Sequence, residues 1–140
     1  MKSILKFAVL VLAMAAAAQG AAAQAKRWLV LKAPFAFTVE RQQLPAGEYR
    51  VQLQDGWLRV QSTDGKTSVN VLTMPVSGKT PEGHGEVVFH QYGDKYFLAQ
   101  VWTPSHETGR ETIESRDEMQ LAKREKVQAR VVPLGNEAGR

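Results

Sequence analysis

The chain of 140 residues contains no cysteine. That absence excludes a disulfide-stapled scaffold and any zinc site built on thiolates, so stability has to come from packing alone. It also lacks an uninterrupted apolar stretch of about 18 residues, the minimum for a helix that spans a bilayer. Charge of one sign is scarce too: 18 Lys plus Arg stand against 14 Asp plus Glu, a formal net charge of +4 at pH 7. Without a strongly basic stripe to meet a phosphate backbone, nucleic acid is not an expected partner. What is present is a 44% hydrophobic fraction, too large for a disordered chain and suited to one globular domain.

Lys2 and Lys6 precede an apolar run from Phe7 to Ala18, and small residues from Gln19 to Ala25 follow it. This is the order of a secretory signal peptide over residues 1–25, with Ala23-Gln24-Ala25 as the expected cleavage site and Lys26 as the first mature residue. The run is about half the roughly 20 residues of a spanning helix, and no cysteine follows it to carry a lipid. Export to the periplasm or beyond is expected, with no transmembrane segment in the mature chain. Loss of Lys2 and Lys6 lowers the formal charge by two. The roughly 115 residues that remain can bury about two thirds of their unfolded surface, enough for an ordinary core.

From Phe35 to Thr103 apolar and polar residues alternate with a period of two, and Gly, Pro and Asp-Gly interrupt them at short intervals. Asp55-Gly56 and Asp64-Gly65 predict two-residue type I′ turns. The first turn pairs Gln54 with Trp57, Leu53 with Leu58, Val51 with Val60 and Tyr49 with Ser62. The second pairs Thr63 with Lys66, Val60 with Val69 and Leu58 with Val71, so both turns assign Leu58 and Val60 to the same apolar face. The opposite face, Arg50, Gln52, Gln54, Arg59, Gln61, Ser68 and Asn70, reads as solvated. Phe35, Phe37 and Val39 form another strand, which Leu44-Pro45-Ala46-Gly47 turns into the meander. Trp28 to Leu31 is either an edge strand or a segment packed across one end.

Pro75 is expected to stop the third strand, with Val76 to Gly85 forming an exposed, mobile loop. In the next hairpin, around Gly93-Asp94, a two-residue type II′ turn pairs Phe89 with Leu98 and His90 with Phe97. A three-residue loop instead gives a cleaner apolar face of Val87, Phe89, Phe97, Ala99 and Val101, and leaves the direction of His90 open. Glu111 to Glu114 suggests a short strand. Ser115-Arg116-Asp117-Glu118 reads as a capping box, with Ser115 accepting a free amide and Glu118 reaching back. A helix from about residue 116 follows, with Asp117 and Glu118 at its start and Lys123, Arg124 and Lys126 near its end. Met119, Ala122 and, at the margin, Leu121 face inward. Pro133 ends the ordered domain, 26–132, and 133–140 is a frayed tail.

The chemistry on offer is thin. His84, His90 and His106 are the three histidines, on three separated segments without the close spacing of a metal site, so no metal is expected. Ser77, Ser105 and Ser115 lack a nucleophile elbow, and Ser105 and His106, side by side, point apart in an extended chain, with Glu107 the nearest orienter. The carboxylates Glu86, Asp94, Glu107 and Glu111 sit near turns or strand ends, where solvation accounts for them. The basic quartet Lys123, Arg124, Lys126 and Arg130 is explained by a helix end that complements its own dipole. Tyr49, Tyr92, Tyr96, Trp57 and Trp102 serve either as core or as ligand contacts. Tyr92, Tyr96, Trp102 and His90 are the candidate contact residues.

The strings Leu44-Pro45-Ala46-Gly47-x-Tyr49-x-Val51, Phe89-His90-x-Tyr92-Gly93-Asp94-x-Tyr96-Phe97-Leu98 and Val101-Trp102, with Gly109-Arg110 and Ser115-x-x-Glu118, resemble a group of small exported bacterial β proteins of unassigned function. The resemblance runs from about Pro34 to Leu121. It implies secretion and a compact β domain with a terminal helix, and it brings no activity, cofactor or catalytic residue. The expected fold is therefore all-β: an antiparallel meander of six or seven strands curled into a small barrel or sandwich, plus one C-terminal helix. The expected role is non-catalytic binding or structure in the envelope or periplasm, with an envelope protein as partner. A barrel carrying a small apolar ligand under the 76–85 loop is the second reading, and a hydrolase the third.

Overall fold

The computed structural model describes residues 28–54, 56–78, 84–104 and 108–136. The expected signal peptide therefore lies outside the described residues. Ten strands and one helix follow in chain order: β1 (Leu29–Ala33), β2 (Phe37–Val39), β3 (Gln42–Leu44), β4 (Gly47–Gln54), β5 (Trp57–Ser62), β6 (Ser68–Ser77), β7 (Glu86–Tyr92), β8 (Lys95–Trp102), β9 (Thr108–Thr112), α1 (Arg116–Ala122) and β10 (Gln128–Asn136). Eight of these strands close a ring in the order β8-β7-β10-β1-β4-β5-β6-β9 and back to β8, every pair antiparallel. The β2–β3 hairpin extends from β8 beyond the ring, with Thr38 of β2 meeting Phe97 of β8 in parallel, and sends Phe37, Val39 and Leu44 into the same core, where Phe37 meets Tyr49 and Phe89 edge-on. The fold is thus a closed barrel, not a sandwich, and it has more strands than the alternation alone suggests.

The central register follows the expected pairing. Val51 opposes Val60, Leu53 opposes Leu58, Val60 opposes Val69 and Leu58 opposes Val71. Leu58 and Val60 are fully buried, while Arg59 and Gln61 face outward, half-exposed. On that outer face Gln52 is the exception: it is buried, with the Gln54 amide donating to its side-chain oxygen at 2.6 Å. The second turn keeps its register with a different geometry. Only Gly65 of the Asp64-Gly65 pair takes positive φ (+76°), and Ser62 and Thr67 flank a four-residue loop closed by a Gly65 N–H to Ser62 carbonyl bond of 2.9 Å. A type I turn followed by a left-handed glycine satisfies the same pairing as a type I′ turn would.

Four expectations need correction. Pro75 does not end β6, which continues to Ser77 by changing partners from β5 to β9 at Thr73. Thr73 sends its N–H to the Gly56 carbonyl on the β5 side, so Pro75, two residues on, presents its nitrogen beyond the end of β5, where no ladder bond is required. The helix is neither C-terminal nor long. It ends at Ala122 with no basic residue in its last turn, and β10 follows it. Residues 133–136 are not a frayed tail: Pro133 opposes Glu86 within β10, and Leu134, Gly135 and Asn136 pair with β1. The Leu134 N–H points to Gly85 on the β7 side, so the Pro133 nitrogen faces the β1 side, just short of where that ladder begins. Finally, β1 lies between β10 and β4 inside the ring, not at an edge.

Two register readings of the β7–β8 hairpin turn out to be the two halves of one structure. Tyr92 opposes Lys95 across the Gly93-Asp94 turn and Phe89 opposes Leu98, after which a bulge at Ala99 shifts the pairing so that Val88 meets Gln100 and Val87 meets Val101. The bulge returns Val101 to the interior beside Val87 and leaves His90 on the outer wall. Inside the ring, Leu31, Val51, Leu58, Val60, Val71, Val87, Phe89, Leu98, Val101 and Leu134 belong to one continuous buried cluster.

Candidate functional site

The four candidate contact residues do not share one surface. Trp102 is buried at one end of the barrel, where its indole N–H donates to Gln100 at 3.1 Å. Its ring lies so close to Gly109 that a Cβ there would come within 2.6 Å of it, so Gly109 serves packing at this end, while Arg110 donates to the Thr73 hydroxyl at 2.9 Å and to its carbonyl at 3.1 Å. Tyr96 goes elsewhere. It is half-buried and stacks on Phe35 with ring centroids 3.8 Å apart, and Phe35 in turn meets Phe89 of the core edge-on at 5.0 Å. These rings border a groove of about 640 Å³ between the β2–β3 hairpin, the β7–β8 turn and α1. Gln43 and Gln120 add polar groups, and Arg41, Lys95, Asp94 and Asp117 bring both signs of charge to it. At the tip of the β2–β3 hairpin, beside Arg41, Glu40 holds a φ of +60°, the one non-glycine residue with positive φ among the described residues.

His90 and Tyr92 meet at a second place. Alternation along β7 puts Val87 and Phe89 inside, so His90 and Tyr92 share the outer wall. The first turn of α1 covers them there. Glu118 is only 4% exposed; one of its carboxylate oxygens lies 2.7 Å from His90 Nδ1 and accepts the Tyr92 hydroxyl at 3.1 Å. Ser115 accepts the Glu118 amide at 3.2 Å, as a helix cap does. The second half of the expected capping box is replaced: the Glu118 carboxylate goes to β7, because an imidazole and a phenol on the wall offer it stronger donors than a backbone amide. The expected inward face of the helix is reversed accordingly, with Met119 and Ala122 exposed and Glu118 the buried residue.

The Glu118 hydrogen bond and the charges of Glu118, Glu114 and Glu111 raise the His90 pKa against the opposing effect of burial. Burial first, then the Glu118 and Glu114 charges, push Tyr92 up to about 12. A small cavity of about 20 Å³ opens between His90, Gln100, Glu111, Thr112, Glu114 and Glu118. One ligand atom each from His90, Glu114 and Glu118 lies within 4.8 Å of the others. A histidine partnered by carboxylates, not by other histidines, is the constellation that spacing alone did not reveal.

The remaining sequence candidates are dispersed. His84 is exposed ahead of β7, and Ser105, His106 and Glu107 lie outside the described residues, as does the centre of the expected 76–85 lid, residues 79–83. Among the described residues no helix is long and apolar enough to cross a membrane. Comparison of the chain with protein families, with curated proteins and with solved structures returns no match.

Proposed function

We propose that the mature chain is an exported, non-catalytic binding domain of the envelope or periplasm that engages its partner in the groove beside Tyr96. The groove itself carries this reading. Its volume of about 640 Å³ falls in the range of ligand clefts, its wall includes the stacked Phe35 and Tyr96 rings, and both signs of charge border it. An aromatic shelf beside charged groups suits a partner with a flat apolar body and a charged end. Carriage of an apolar ligand inside the barrel has less support, because Leu31, Leu58, Val60, Val87 and Phe89 already fill the interior. The lysine-led apolar run and the Ala23-Gln24-Ala25 site support export.

Two measurements test the reading. N-terminal sequencing of the protein recovered from a periplasmic extract should give Lys26 as the first residue. Titration with a set of amphipathic aromatic acids and amines, followed by NMR, should move signals of Phe35, Tyr96 and Gln120, and Tyr96→Ala should weaken the best ligand by about tenfold. Shifts centred on Leu58 and Val87 would transfer the role to the barrel interior. An unprocessed N-terminus, or no response at the groove, overturns the proposal.

A further inference from the structure

We propose that His90, Glu114 and Glu118 form a site for one first-row divalent cation, best matched by zinc, where α1 meets the barrel wall. The ligand atoms are already gathered, one from each residue within 4.8 Å of the others. Bonds of about 2.0 to 2.2 Å to a shared ion place neighbouring ligand atoms about 3.4 Å apart, so closure requires a movement of an ångström or so. Exposed Glu114, on the connection between β9 and α1, is free of packing that would prevent it. The cavity of about 20 Å³ that these residues border holds one body the size of a water molecule.

Three observations distinguish this place from an acidic surface patch. A histidine nitrogen is turned into the carboxylates, 2.7 Å from Glu118. The Glu118 carboxylate is buried and held by an outer partner, the Tyr92 hydroxyl, as the carboxylate ligands of metal centres commonly are. The donors come from β7 and, 24 or more positions later, from the β9–α1 connection and α1, so an ion would fasten the start of the helix to the barrel wall. One imidazole nitrogen with two carboxylates, and Glu111 at the cavity wall as a further oxygen, matches a borderline ion in preference to calcium or magnesium. The site is separate from the groove and does not depend on the binding role assigned there.

Zinc titration of the chelator-treated, exported protein tests the proposal by calorimetry and thermal melting. The expected result is one ion per chain with a raised melting temperature. Glu114→Gln should weaken binding at least about tenfold while the metal-free protein keeps its cooperative melting transition. Cobalt should shift the ring protons of His90 and leave those of His84 in place. No saturable zinc binding below about 100 μM, zinc binding unaltered by Glu114→Gln, or magnesium bound as tightly as zinc would each overturn the site.

Discussion

Asp64 shows how a single exposed side chain sets a loop. Its carboxylate accepts the Ser62 hydroxyl at 2.6 Å and the Lys66 amide at 2.9 Å. The Ser62 bond first, then the Lys66 amide, hold its pKa below the usual 3.8. A carboxyl depressed on folding contributes stability that is complete above its unfolded pKa and is lost as pH falls through its folded one. Denaturation midpoints of the unmodified protein should therefore decline more steeply below about pH 4 than those of Asp64→Ala, a difference that salt reduces because the group is exposed. At the same scale, the partners of Glu118 were invisible to local pattern. His90 stands 28 positions away, and the Ser115-x-x-Glu118 spacing assigns the carboxylate to its own helix. Only the fold brings imidazole and carboxylate together.

Among the elements, α1 is the least self-sufficient. Seven residues cannot hold a helix in water, so its order comes from the wall it touches. With Met119 exposed, that attachment is largely the polar anchor of Glu118. Glu118→Ala should cost about 1 to 3 kcal/mol in urea denaturation, since it leaves the Tyr92 hydroxyl buried without its acceptor. Hydrogen exchange should quicken over 116–122 while β1 and β4 stay protected. The strands were the more legible elements. Two Asp-Gly turns and an alternating middle strand fixed the β4–β5–β6 register, because a slip of one residue would expose Leu58 and Val60. The proline-bearing strands were not legible, since whether Pro75 or Pro133 breaks a ladder depends on which neighbour it faces, and that is decided by strands distant in sequence.

The whole molecule is a ring with one late member. β10 joins β7 through residues 128–133 and β1 through 134–136, so it closes the barrel. Its placement could not be read from local signals, because Lys123, Arg124 and Lys126 read as the end of a longer helix and Pro133 as the end of the domain. Deleting 128–136 should remove the cooperative unfolding transition and leave a chain that binds hydrophobic dyes, since it opens two strand edges beside the core. Trp57, Leu72 and Met74 stay exposed on the outer wall, where Trp57 and Leu72 sit opposite each other across β5 and β6.

The position of β10 also governs when the protein can first exist. Leu31 waits for Leu134, roughly a hundred residues later, so a nascent chain leaving the ribosome cannot complete its barrel until β10 has been made. In the exported role proposed above, that delay keeps the chain in the thread-like state a translocation pore accepts.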